Sequence, residues 1–581
     1  MNETIKHKIQ EWSAPPYDEA TIDEVKRLVH EKNETELADR FYRRLEFGTG
    51  GLRGVIGAGT NRINIYTVGM ASQGLANYII TNGNPGAGIV IARDSRRMSD
   101  TFAREAAMVF AGNGINVYFF KEITPTPLCS FAIRELGAAA GIVVTASHNP
   151  PEYNGYKVYW NDGGQIVPPH DDNIIAEVEK INSPAAIIKA DFEQSASKGL
   201  IKFIGEEMTD IYISSLENFI FRKEGKKSDL KIVYSPLHGT GYKIIPKALT
   251  HFGFTQTQSE PEQSKPDGSF PTVKSPNPEE SAALERSIAL AEKINADIVL
   301  ATDPDADRMG AAIKDPNGRF MLITGNQIGV MLEYYILSTL SENGKLPANA
   351  SVIKTIVTSD IQSEVAGGFS CHVENVLTGF KWIADKMRIY DKDGSHTFVF
   401  GGEESYGYLP VPFVRDKDSI SSCCFFADMA DRLRAKNMSL YDYLDEIYLR
   451  FGCYLEGLHS MTLKGMDGLE KMGKIMESFR QNPPRAFDGI NVAETRDFLN
   501  LNIKHAGGKK PIEGLPVSDV LQFLLEDKSL LTVRPSGTEP KIKFYISVNK
   551  KAEKDNLETV KKELSEKIER LKKSLIETVN A

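Results

Sequence analysis

The sequence has little cysteine, and its cysteines show no spacing that would let them act together. It contains five cysteines in 581 residues, an odd number, and no CxxC pair. Disulfide frameworks and structural zinc sites both need paired or clustered cysteines. The sequence therefore predicts neither a disulfide-stapled scaffold nor a zinc-binding module.

Long apolar runs and an excess of positive charge are also missing. No run is long enough to span a bilayer, and the first residues, MNETIKHKIQEW, lack the apolar core of a signal peptide. The net charge is −9, from 69 basic and 78 acidic residues, which disfavours general binding to nucleic acids or anionic membranes. We expect a cytoplasmic protein that binds neither nucleic acid nor membrane.

The chain is long enough for roughly three to five domains of typical size. Three stretches share one pattern, an apolar strand that ends in a polar loop: residues 88–96 (GIVIARDSR), 231–241 (KIVYSPLHGTG) and 351–360 (SVIKTIVTSD). Their spacing is that of domains and not of a short solenoid repeat. Each stretch therefore predicts the start of a βα unit in a repeated α/β domain.

Changes of pattern along the chain predict the domain boundaries. Helical patterns over 206–221 and 324–340 open the second and third repeats, and the pattern changes again after about residue 455. The predicted segments are an N-terminal helical arm (1–46) and four domains, at 47–205, 206–323, 324–455 and 456–581.

The last predicted domain contains a β-hairpin at 529–548 and a helix at 552–579. The helix carries an apolar stripe at spacings of three and four, formed by Leu557, Val560, Leu564, Ile568, Leu571 and Leu575. Such a stripe usually docks on its own domain, and a coiled-coil dimer is the alternative.

The first stretch with a chemical signature is TASHNPPEYNGYK, residues 145–157. It follows the small apolar residues 137–144, which predict a strand buried on both faces. Pro150 and Pro151 forbid a helix and stiffen the loop. Ser147 is thus expected on a rigid loop at the carboxyl end of a strand, where α/β sheets place ligands. An ordinary turn explains this stretch alone equally well.

Three aspartates alternate in DPDADR (303–308), directly after the apolar strand ADIVLAT. Alternate residues of an extended loop point the same way, so the carboxylates of Asp303, Asp305 and Asp307 can converge. A hard divalent cation would relieve their repulsion, and oxygen ligands without nearby Cys or His favour Mg²⁺ over Zn²⁺. Arg308 can balance charge or hold a phosphate. The alternative is a solvated acidic turn.

Two weaker motifs lie in the third predicted domain. In GGEESYGY (401–408), Glu403 and Ser405 offer acceptors and a donor that suit sugar hydroxyls, although helix capping explains them almost as well. In TGFKWI (378–383), Lys381 lies between aromatic residues, where a partly desolvated lysine can act as an acid or base. The alternative is a lysine stem packed on those aromatics.

The motif RPSGTEPK (534–541) has the composition of a phosphate-binding nest. Arg534 and Lys541 bring positive charge. Hydroxyls and accessible backbone N–H groups come from Ser536, Gly537 and Thr538. Together with the serine loop and the aspartates, this nest predicts metal-assisted phosphoryl transfer, in which a phosphorylated Ser147 supplies a further oxygen ligand to the metal.

TASHNP, DPDADR, GGEESYG and RPSGTEPK occur in this order, one in each predicted domain, and the sequence here resembles the α-D-phosphohexomutases. The resemblance covers nearly the whole chain, from GTGGLRG (48–54) to RPSGTEPK. It implies three related α/β domains with mixed sheets and a smaller C-terminal α+β domain around one central cleft.

The resemblance also implies residue roles, motif by motif. Catalytic roles fall to Ser147 as the phosphoserine, His148, Lys157, Arg53 and Lys381. The ligands of Mg²⁺ are Ser147 in its phosphorylated form, Asp303, Asp305 and Asp307. The substrate contacts are Arg308, Glu403, Ser405, Arg534, Ser536, Gly537 and Thr538.

Within the family, GGEESYG with TGFKWI is most similar to the branch that acts on glucose phosphates. The resemblance implies an isomerase that interconverts α-D-glucose 1-phosphate and D-glucose 6-phosphate through a phosphoserine. Glucose 1,6-bisphosphate would be both intermediate and activator. Members that act on mannose phosphates typically carry GEMSGH, and Glu404 replaces that methionine here. The expected partner is a small sugar phosphate, and the expected oligomeric state is a monomer or a weak dimer.

Several alternatives remain open at this point. The same chemistry could act on ribose or deoxyribose 1-phosphate, or on mannose phosphates as a side activity. A metal-dependent phosphatase would use the same site with water as the acceptor. A non-catalytic sugar-phosphate sensor would keep the nest but lose Ser147 or an aspartate, and all of these are present.

Overall fold

The chain forms two compact units. The structure, a computed structural model, describes residues 1, 3–48, 50–222, 225–463, 466–535 and 541–580. The first unit comprises Met1–Ile323, Ala384–Asp393 and Tyr406–Asp431. The second unit comprises Thr324–Ile383, Gly394–Ser405 and Arg432–Ala581.

The N-terminal arm is helical. Its helices are α1 (Glu3–Glu11), α2 (Glu19–His30) and α3 (Glu34–Phe41). Asp18 and Asn33 cap α2 and α3 with their side chains, which satisfies backbone N–H groups that a helix start leaves unpaired. Trp12 is buried and stacks on Tyr17 with ring centroids 4.3 Å apart. Both rings belong to a buried apolar cluster that joins the arm to Ala58 and Tyr66.

The first sheet of the first unit is mixed. Its strands are β1 (Gly51–Val55), β2 (Ile89–Arg93), β3 (Val117–Phe120), β4 (Ala140–Val144), β5 (Tyr153–Trp160) and β6 (Ile201–Ile204), in the order β1-β5-β4-β2-β3-β6. Its helices are α4 (Ile65–Asn82), α5 (Ser99–Gly112), α6 (Thr126–Glu135), α7 (His170–Glu179), α8 (Phe192–Ser197) and α9 (Glu206–Leu216). Every residue of β4 is buried, as the apolar stretch 137–144 predicts.

The second sheet follows the same plan. Its strands are β7 (Ile232–Ser235), β8 (Thr257–Ser259), β9 (Ile298–Thr302), β10 (Met309–Lys314) and β11 (Phe320–Ile323), in the order β11-β10-β9-β7-β8. Its helices are α10 (Gly241–His251) and α11 (Ser281–Ile294). The strands β7, β8 and β9 are parallel, whereas β10 and β11 are antiparallel additions.

The third α/β sheet begins in the second unit after α12 (Gly325–Glu342). There β12 (Ala350–Thr355) pairs in parallel with β13 (His372–Val376) and β14 (Thr397–Glu403). The remaining elements of this part of the chain are α13 (Ile361–Gly368), α14 (Phe380–Asp393), β15 (Gly407–Leu409), α15 (Ser419–Arg434) and α16 (Leu440–Phe451).

The three sheets repeat one arrangement. The strands that open the predicted repeats, β2, β7 and β12, each pair in parallel with a later strand, β4, β9 or β14. The motifs TASHNP, DPDADR and GGEESYG lie at the carboxyl ends of these later strands. The three chemical motifs therefore occupy topologically equivalent positions, which confirms the prediction of three related α/β domains.

The C-terminal domain is built on an antiparallel sheet. Its elements are β16 (Cys453–Thr462), α17 (Met466–Gln481), β17 (Ala486–Phe487), β18 (Ile490–Asp497), β19 (Asn502–His505), β20 (Gly508–Pro511), β21 (Leu521–Leu525), β22 (Leu530–Pro535), β23 (Lys541–Lys550) and α18 (Leu557–Asn580). The main strand order is β16-β23-β22-β21-β18-β19-β20. The antiparallel pairing of β22 with β23 confirms the predicted hairpin.

The apolar stripe of α18 docks on its own domain. All six stripe residues are buried, and α18 packs against β16 and β23. At Gly457 in β16, a Cβ atom would lie 2.4 Å from Cγ2 of Ile568, so glycine is what permits this close approach. The intramolecular alternative is therefore confirmed, and the stripe gives no support for a coiled coil.

One predicted helix is longer than the observed one. The pattern over 206–221 predicts a continuous helix, but α9 ends at Leu216. The chain then turns, and the ring of Phe219 packs 5.5 Å from that of Phe413. Tertiary packing thus overrides the local periodicity.

None of the described helices is long and apolar enough to cross a membrane. All five cysteines are buried and unpaired.

A buried glutamate lies between the third sheet and the C-terminal sheet within the second unit. Glu456 of β16 pairs in register with Ser547, and its Oε1 atom is buried without a hydrogen-bond partner among the described residues. Burial raises the pKa of Glu456 to about 7, although Ser359, Ser547 and Asn326 act in the opposite direction.

Glu456→Gln is expected to raise stability at pH 8 and not at pH 4.5. A raised carboxyl pKa means that the folded state holds its proton more tightly than the unfolded state. The corresponding stability is complete below about pH 4.5 and is lost as the pH rises through about 7. The rise of the pKa from 4.5 to about 7 sets an upper limit of about 3 kcal/mol. Thermal unfolding at both pH values measures the effect, with the exposed Glu566→Gln as control. Equal shifts at both pH values would contradict it.

Candidate functional site

Ser147 lies between β4 and β5, in residues 145–153, which we call the serine loop. Its φ is +50°, a conformation that costs a non-glycine residue about 1–3 kcal/mol and persists only where the surroundings impose it. The Ser147 N–H donates to Thr145 Oγ1 at 2.9 Å, and Thr145 Oγ1 donates to Asp94 Oδ2 at 2.6 Å. Hydrogen bonds to the body of the domain therefore hold this conformation, in addition to the stiffness of the prolines.

The metal loop, residues 303–308, follows β9. Oδ1 of Asp303 accepts from the backbone N–H groups of Asp307 at 3.1 Å and Arg308 at 3.0 Å, which closes the loop on itself. One carboxylate oxygen from each of Asp303, Asp305 and Asp307 lies within 4.8 Å of the others, and all three residues are buried. The predicted convergence of the three carboxylates is thus present in the structure.

The segments at the starts of α10 and α6 contact the metal loop. The Thr240 N–H, at the start of α10, donates to the carbonyl of Pro304 at 2.8 Å. A Cβ atom on Gly239 would lie only 2.3 Å from Cα of Pro304, so this contact requires glycine. The Thr126 hydroxyl, at the start of α6, donates to Oδ2 of Asp305 at 3.0 Å.

The serine loop and the metal loop meet at Asp305. The Ser147 hydroxyl donates to Oδ2 of Asp305 at 3.2 Å, and the Lys157 ammonium donates to the same oxygen at 2.8 Å. Lys157 also donates to Oδ2 of Asp307 at 2.9 Å. The structure therefore brings a serine hydroxyl, a lysine and the aspartate triad into direct contact.

A second lysine, Lys417, contacts the same oxygen of Asp307 as Lys157 does. Its Nζ is 3.2 Å from Oδ2 of Asp307 and 3.1 Å from Oδ1 of Asp416. Asp416 in turn accepts from the Tyr159 hydroxyl at 2.7 Å. Asp307 is thus held between two ammonium groups, those of Lys157 and Lys417.

Burial and these charges shift the pKa values of the site in opposite directions. Burial, together with the carboxylates of Asp305 and Asp307, raises the pKa of Asp303 well above its ordinary value. Burial would also raise the pKa of Asp307, but Lys157 and Lys417 hold it far below its usual range. Burial lowers the pKa of Lys157, yet Asp305 and Asp307 raise it by more, so the ammonium form is favoured.

The triad fits a cation on two counts. Three carboxylate oxygens are buried without hydrogen-bond partners among the described residues: Oδ2 of Asp303, Oδ1 of Asp305 and Oδ1 of Asp307. Buried polar atoms are normally satisfied, so these oxygens are free to bind a metal. The raised pKa of Asp303 reports the same unsatisfied negative charge.

Other predicted site residues of the first unit lie near this centre. The pairing of β1 with β5 sets Arg53 and Lys157 on the same face of the sheet, two positions apart. Arg308 forms a 2.5 Å ion pair with Glu279 and lies 4.0 Å from Oδ1 of Asp307. His148 follows Ser147 in the serine loop.

The second unit carries a second group of predicted residues. Glu403 is buried at the end of β14, and its Oε1 accepts from the Gly379 N–H of the TGFKWI motif at 2.9 Å. Lys381 is also buried, and its ammonium lies 4.7 Å from the Trp382 ring centroid. The ammonium of Lys381 thus lies near an aromatic ring, and its acid or base role stays a prediction. Ser405 is half-buried two residues after Glu403.

The phosphate-binding motif is described only in part. Arg534 is the last residue but one of β22 and pairs in register with Lys543 of β23. The remaining predicted members, Ser536, Gly537 and Thr538, lie outside the described residues.

Glu404 carries a raised pKa that its sequence motif did not predict. Burial and the neighbouring Glu403 raise its pKa to about 7, while Arg534 and Lys543 act to lower it. The Thr355 hydroxyl lies 3.4 Å from its Oε2. Near neutral pH this carboxyl group is close to half protonated.

Three residues of the first unit were also missed. Asp94 and Arg96, from the RDSR stretch after β2, hold the serine loop, and Lys417, from the RDKD stretch before α15, holds Asp307. Charged residues directly after a buried strand were the available signal. That signal was used for DPDADR and not for RDSR.

A repeated α/β fold that sets a serine hydroxyl beside a lysine and a buried carboxylate triad is the arrangement expected of an enzyme that catalyses phosphoryl transfer with a metal. Models of the phosphoglucomutase/phosphomannomutase family match the chain in four consecutive segments: α/β/α domain I over residues 44–185, domain II over 210–318, domain III over 324–451 and the C-terminal domain over 480–565. The chain belongs to this family, and the predicted membership is confirmed.

Curated relatives and solved structures agree with this assignment. A phosphoglucomutase from Staphylococcus aureus (strain USA300) is 38% identical over 526 residues, which cover 90% of this chain and 93% of the relative. A phosphoglucomutase/phosphomannomutase family protein from Burkholderia thailandensis has a TM-score of 0.63 at 19% identity, covering 92% of this chain and 97% of that one. The open form of parafusin, a phosphoglucomutase from Paramecium, has a TM-score of 0.64 at 16% identity, covering 93% and 95%. These two structures support the fold.

Proposed function

We propose that this protein is a phosphoglucomutase, which interconverts α-D-glucose 1-phosphate and D-glucose 6-phosphate through a phosphoserine at Ser147. The observation that carries the proposal is the contact of the Ser147 hydroxyl with Asp305, at 3.2 Å, beside a buried triad able to hold a metal. The 38% identity to a phosphoglucomutase across most of the chain supports glucose phosphates as the substrates.

Charge balance supports a divalent cation at the triad. The three carboxylates of the triad, together with Asp416 and Glu279, face three cations, Lys157, Lys417 and Arg308. A divalent cation would balance the two negative charges left over. A phosphoserine at Ser147 would supply a further oxygen ligand to it. We propose Mg²⁺, because all the available ligands are oxygens. When bound, it would draw charge from the phosphoryl group and so activate it for transfer.

The reaction consists of two phosphoryl transfers. In the first, the phosphoryl group leaves Oγ of Ser147 for O6 of glucose 1-phosphate: the Oγ–P bond breaks, an O6–P bond forms, and the O6 proton is lost while Oγ gains one. The product is glucose 1,6-bisphosphate. In the second, the phosphoryl group on O1 returns to Ser147, and glucose 6-phosphate remains. Added glucose 1,6-bisphosphate would load unphosphorylated Ser147, which explains its proposed role as activator.

Lys157 is a proton-holding group that contacts the same carboxylate oxygen as the reacting hydroxyl. Its raised pKa keeps it an ammonium at neutral pH, and it shares Oδ2 of Asp305 with the Ser147 hydroxyl. It is therefore suited to donate a proton to Oγ as the phosphoryl group leaves. The neutral amine that results could take the proton back when Oγ accepts the phosphoryl group in the second transfer. Arg53 and His148 are proposed to assist from the same face of the sheet and from the serine loop.

The residues of the second unit are proposed to bind the sugar phosphate. Glu403 and Ser405 would form hydrogen bonds with hydroxyl groups of the sugar. Arg534 with residues 536–538 would bind the phosphate that is not transferred. Lys381 is proposed as an acid or base. The domain boundaries given above, a cytoplasmic location, and a monomeric or weakly dimeric state also remain proposals.

A matched assay of substrates tests the function. Purified protein with Mg²⁺ and a trace of glucose 1,6-bisphosphate is given glucose 1-phosphate, mannose 1-phosphate or ribose 1-phosphate at equal concentration. We expect kcat/KM for glucose 1-phosphate to exceed the others by at least about tenfold, because discrimination follows differential binding of the transition state. Faster conversion of ribose 1-phosphate would make the protein a phosphopentomutase. Release of inorganic phosphate without isomerised sugar would make it a phosphatase.

A further inference from the structure

The serine loop rests on a buried guanidinium group that the proposed reaction does not use. Arg96 is buried, and its Nη2 donates to the carbonyl of Ser147 at 2.6 Å and to that of Asn149. Its Nη1 donates to the carbonyls of Pro150 at 2.8 Å and Tyr153 at 3.1 Å. A single side chain thus binds four backbone carbonyls of one loop.

Arg96 is itself fixed from three directions. Its Nε lies 3.3 Å from Oδ2 of Asp94, and its own backbone N–H donates to Oδ1 of Asp94 at 2.9 Å. Its guanidinium lies over the ring of Phe270 at 4.9 Å, and its backbone pairs with Gly268. The planar fork that holds the serine loop therefore has little freedom to move.

We propose that Arg96 is the positioning residue that fixes the Ser147 hydroxyl for phosphoryl transfer. Ser147 has a positive φ of 50°, and the two peptide groups that define this conformation are held separately. Thr145 Oγ1 accepts the Ser147 N–H at 2.9 Å, and Arg96 binds the Ser147 carbonyl at 2.6 Å. This inference rests on the proposed function, because the position of the hydroxyl affects a rate only if Ser147 carries the phosphoryl group.

Lysine cannot replace this arrangement. Its ammonium is a compact point charge, whereas the guanidinium presents donors in a rigid fork that can span several carbonyls. Arg96→Lys is therefore expected to keep the positive charge but to lose several of the hydrogen bonds to the carbonyls of the serine loop. A misplacement of about 1 Å at a reacting atom can cost about 100-fold in rate, so we expect kcat to fall about 100-fold. KM should change by less than about threefold, since both terminal nitrogens of Arg96 are already bound to carbonyls of the serine loop.

Arg93, three residues earlier, provides a matched control. It is also buried, and it also binds carbonyls of one loop, those of Phe120 at 2.7 Å and Lys121 at 3.0 Å. It also forms an ion pair, with Asp100 at 2.8 Å. Arg93→Lys should therefore cost similar stability, while kcat stays within about threefold of wild type because its loop carries no reacting group.

The experiment measures kcat, KM, the thermal midpoint, and hydrogen–deuterium exchange over residues 145–153 for wild type, Arg96→Lys and Arg93→Lys. We expect faster exchange in this segment and the 100-fold loss of kcat in Arg96→Lys alone. Equal kcat values for the two variants, or unchanged exchange in Arg96→Lys, would overturn the proposal. Because exchange needs no turnover, it tests Arg96 even if wild type fails to convert glucose 1-phosphate, which would instead refute the proposed function.

A second variant covers the case in which Arg96→Lys does not fold. Phe270→Leu removes the ring under the guanidinium and leaves every donor of Arg96 in place. It is expected to lower kcat about tenfold and to speed hydrogen–deuterium exchange of the serine loop, since the Arg96 guanidinium loses its contact with the aromatic ring. Wild-type kcat and wild-type exchange in a folded Phe270→Leu protein would overturn the proposal.

Discussion

Ser147→Ala is expected to abolish the interconversion of glucose 1-phosphate and glucose 6-phosphate. Alanine removes the oxygen that would carry the phosphoryl group. Removal of a covalent nucleophile has cost other enzymes up to about 10⁶-fold, so we expect a loss in kcat of at least about 10³-fold. Coupled detection of glucose 6-phosphate measures it.

The same variant should fold like the wild type. Within the described part of the chain, the side chain makes one hydrogen bond, at 3.2 Å to Asp305, so the expected cost is about 1 kcal/mol or less. Ser72→Ala is the matched control, because Ser72 is also buried in the first domain and bonds the Tyr156 hydroxyl at 3.0 Å. It should lose similar stability and keep its activity.

Mass spectrometry provides an independent check. Wild-type protein incubated with glucose 1,6-bisphosphate should gain the mass of one phosphoryl group on the peptide that contains Ser147, and Ser147→Ala should gain none. Turnover by the alanine variant within tenfold of wild type would show that the phosphoryl group is carried elsewhere.

The sequence predicted the site best where a motif lies on a single loop. DPDADR placed three carboxylates at alternate positions, and the structure brings them together after β9 as the pattern requires. The apolar stretch before TASHNP predicted the buried strand β4 and the loop that carries Ser147. Both predictions depend only on local periodicity and on the general rule that ligands bind at the carboxyl ends of strands.

The contacts that join these loops could not be read from the sequence. Ser147 and Asp305 are 158 positions apart, and Lys417 reaches Asp307 from another segment of the first unit. Such contacts depend on how the sheets pack, and a single sequence carries no information on that packing. The positive φ of Ser147 could not be predicted either, because the identity of a serine does not indicate a backbone conformation that its neighbours impose.

Asp303→Asn is expected to weaken metal binding and, at the same time, to stabilise the metal-free protein. Burial and two neighbouring carboxylates raise the pKa of Asp303, so its charge is unfavourable unless a cation is bound. Asparagine keeps the acceptor that closes the metal loop, Oδ1, at 3.1 Å and 3.0 Å from two backbone N–H groups. It removes one of the three charges that attract the ion. We expect Mg²⁺ affinity to fall at least about 100-fold, about 2.7 kcal/mol.

The two opposite shifts distinguish a metal site from a merely structural cluster of acids. Isothermal titration with Mg²⁺ gives the affinity, and thermal unfolding in EDTA gives the metal-free stability, neither of which requires turnover. Asp315→Asn is the control, since Asp315 lies in the same domain and pairs with the exposed Arg319 at 3.1 Å. If Asp303→Asn left Mg²⁺ affinity unchanged, the three unpartnered oxygens would have to serve another purpose. If it destabilised the metal-free protein, the carboxylate would be needed for folding, and the repulsion inferred from its raised pKa would be offset by contacts within the loop.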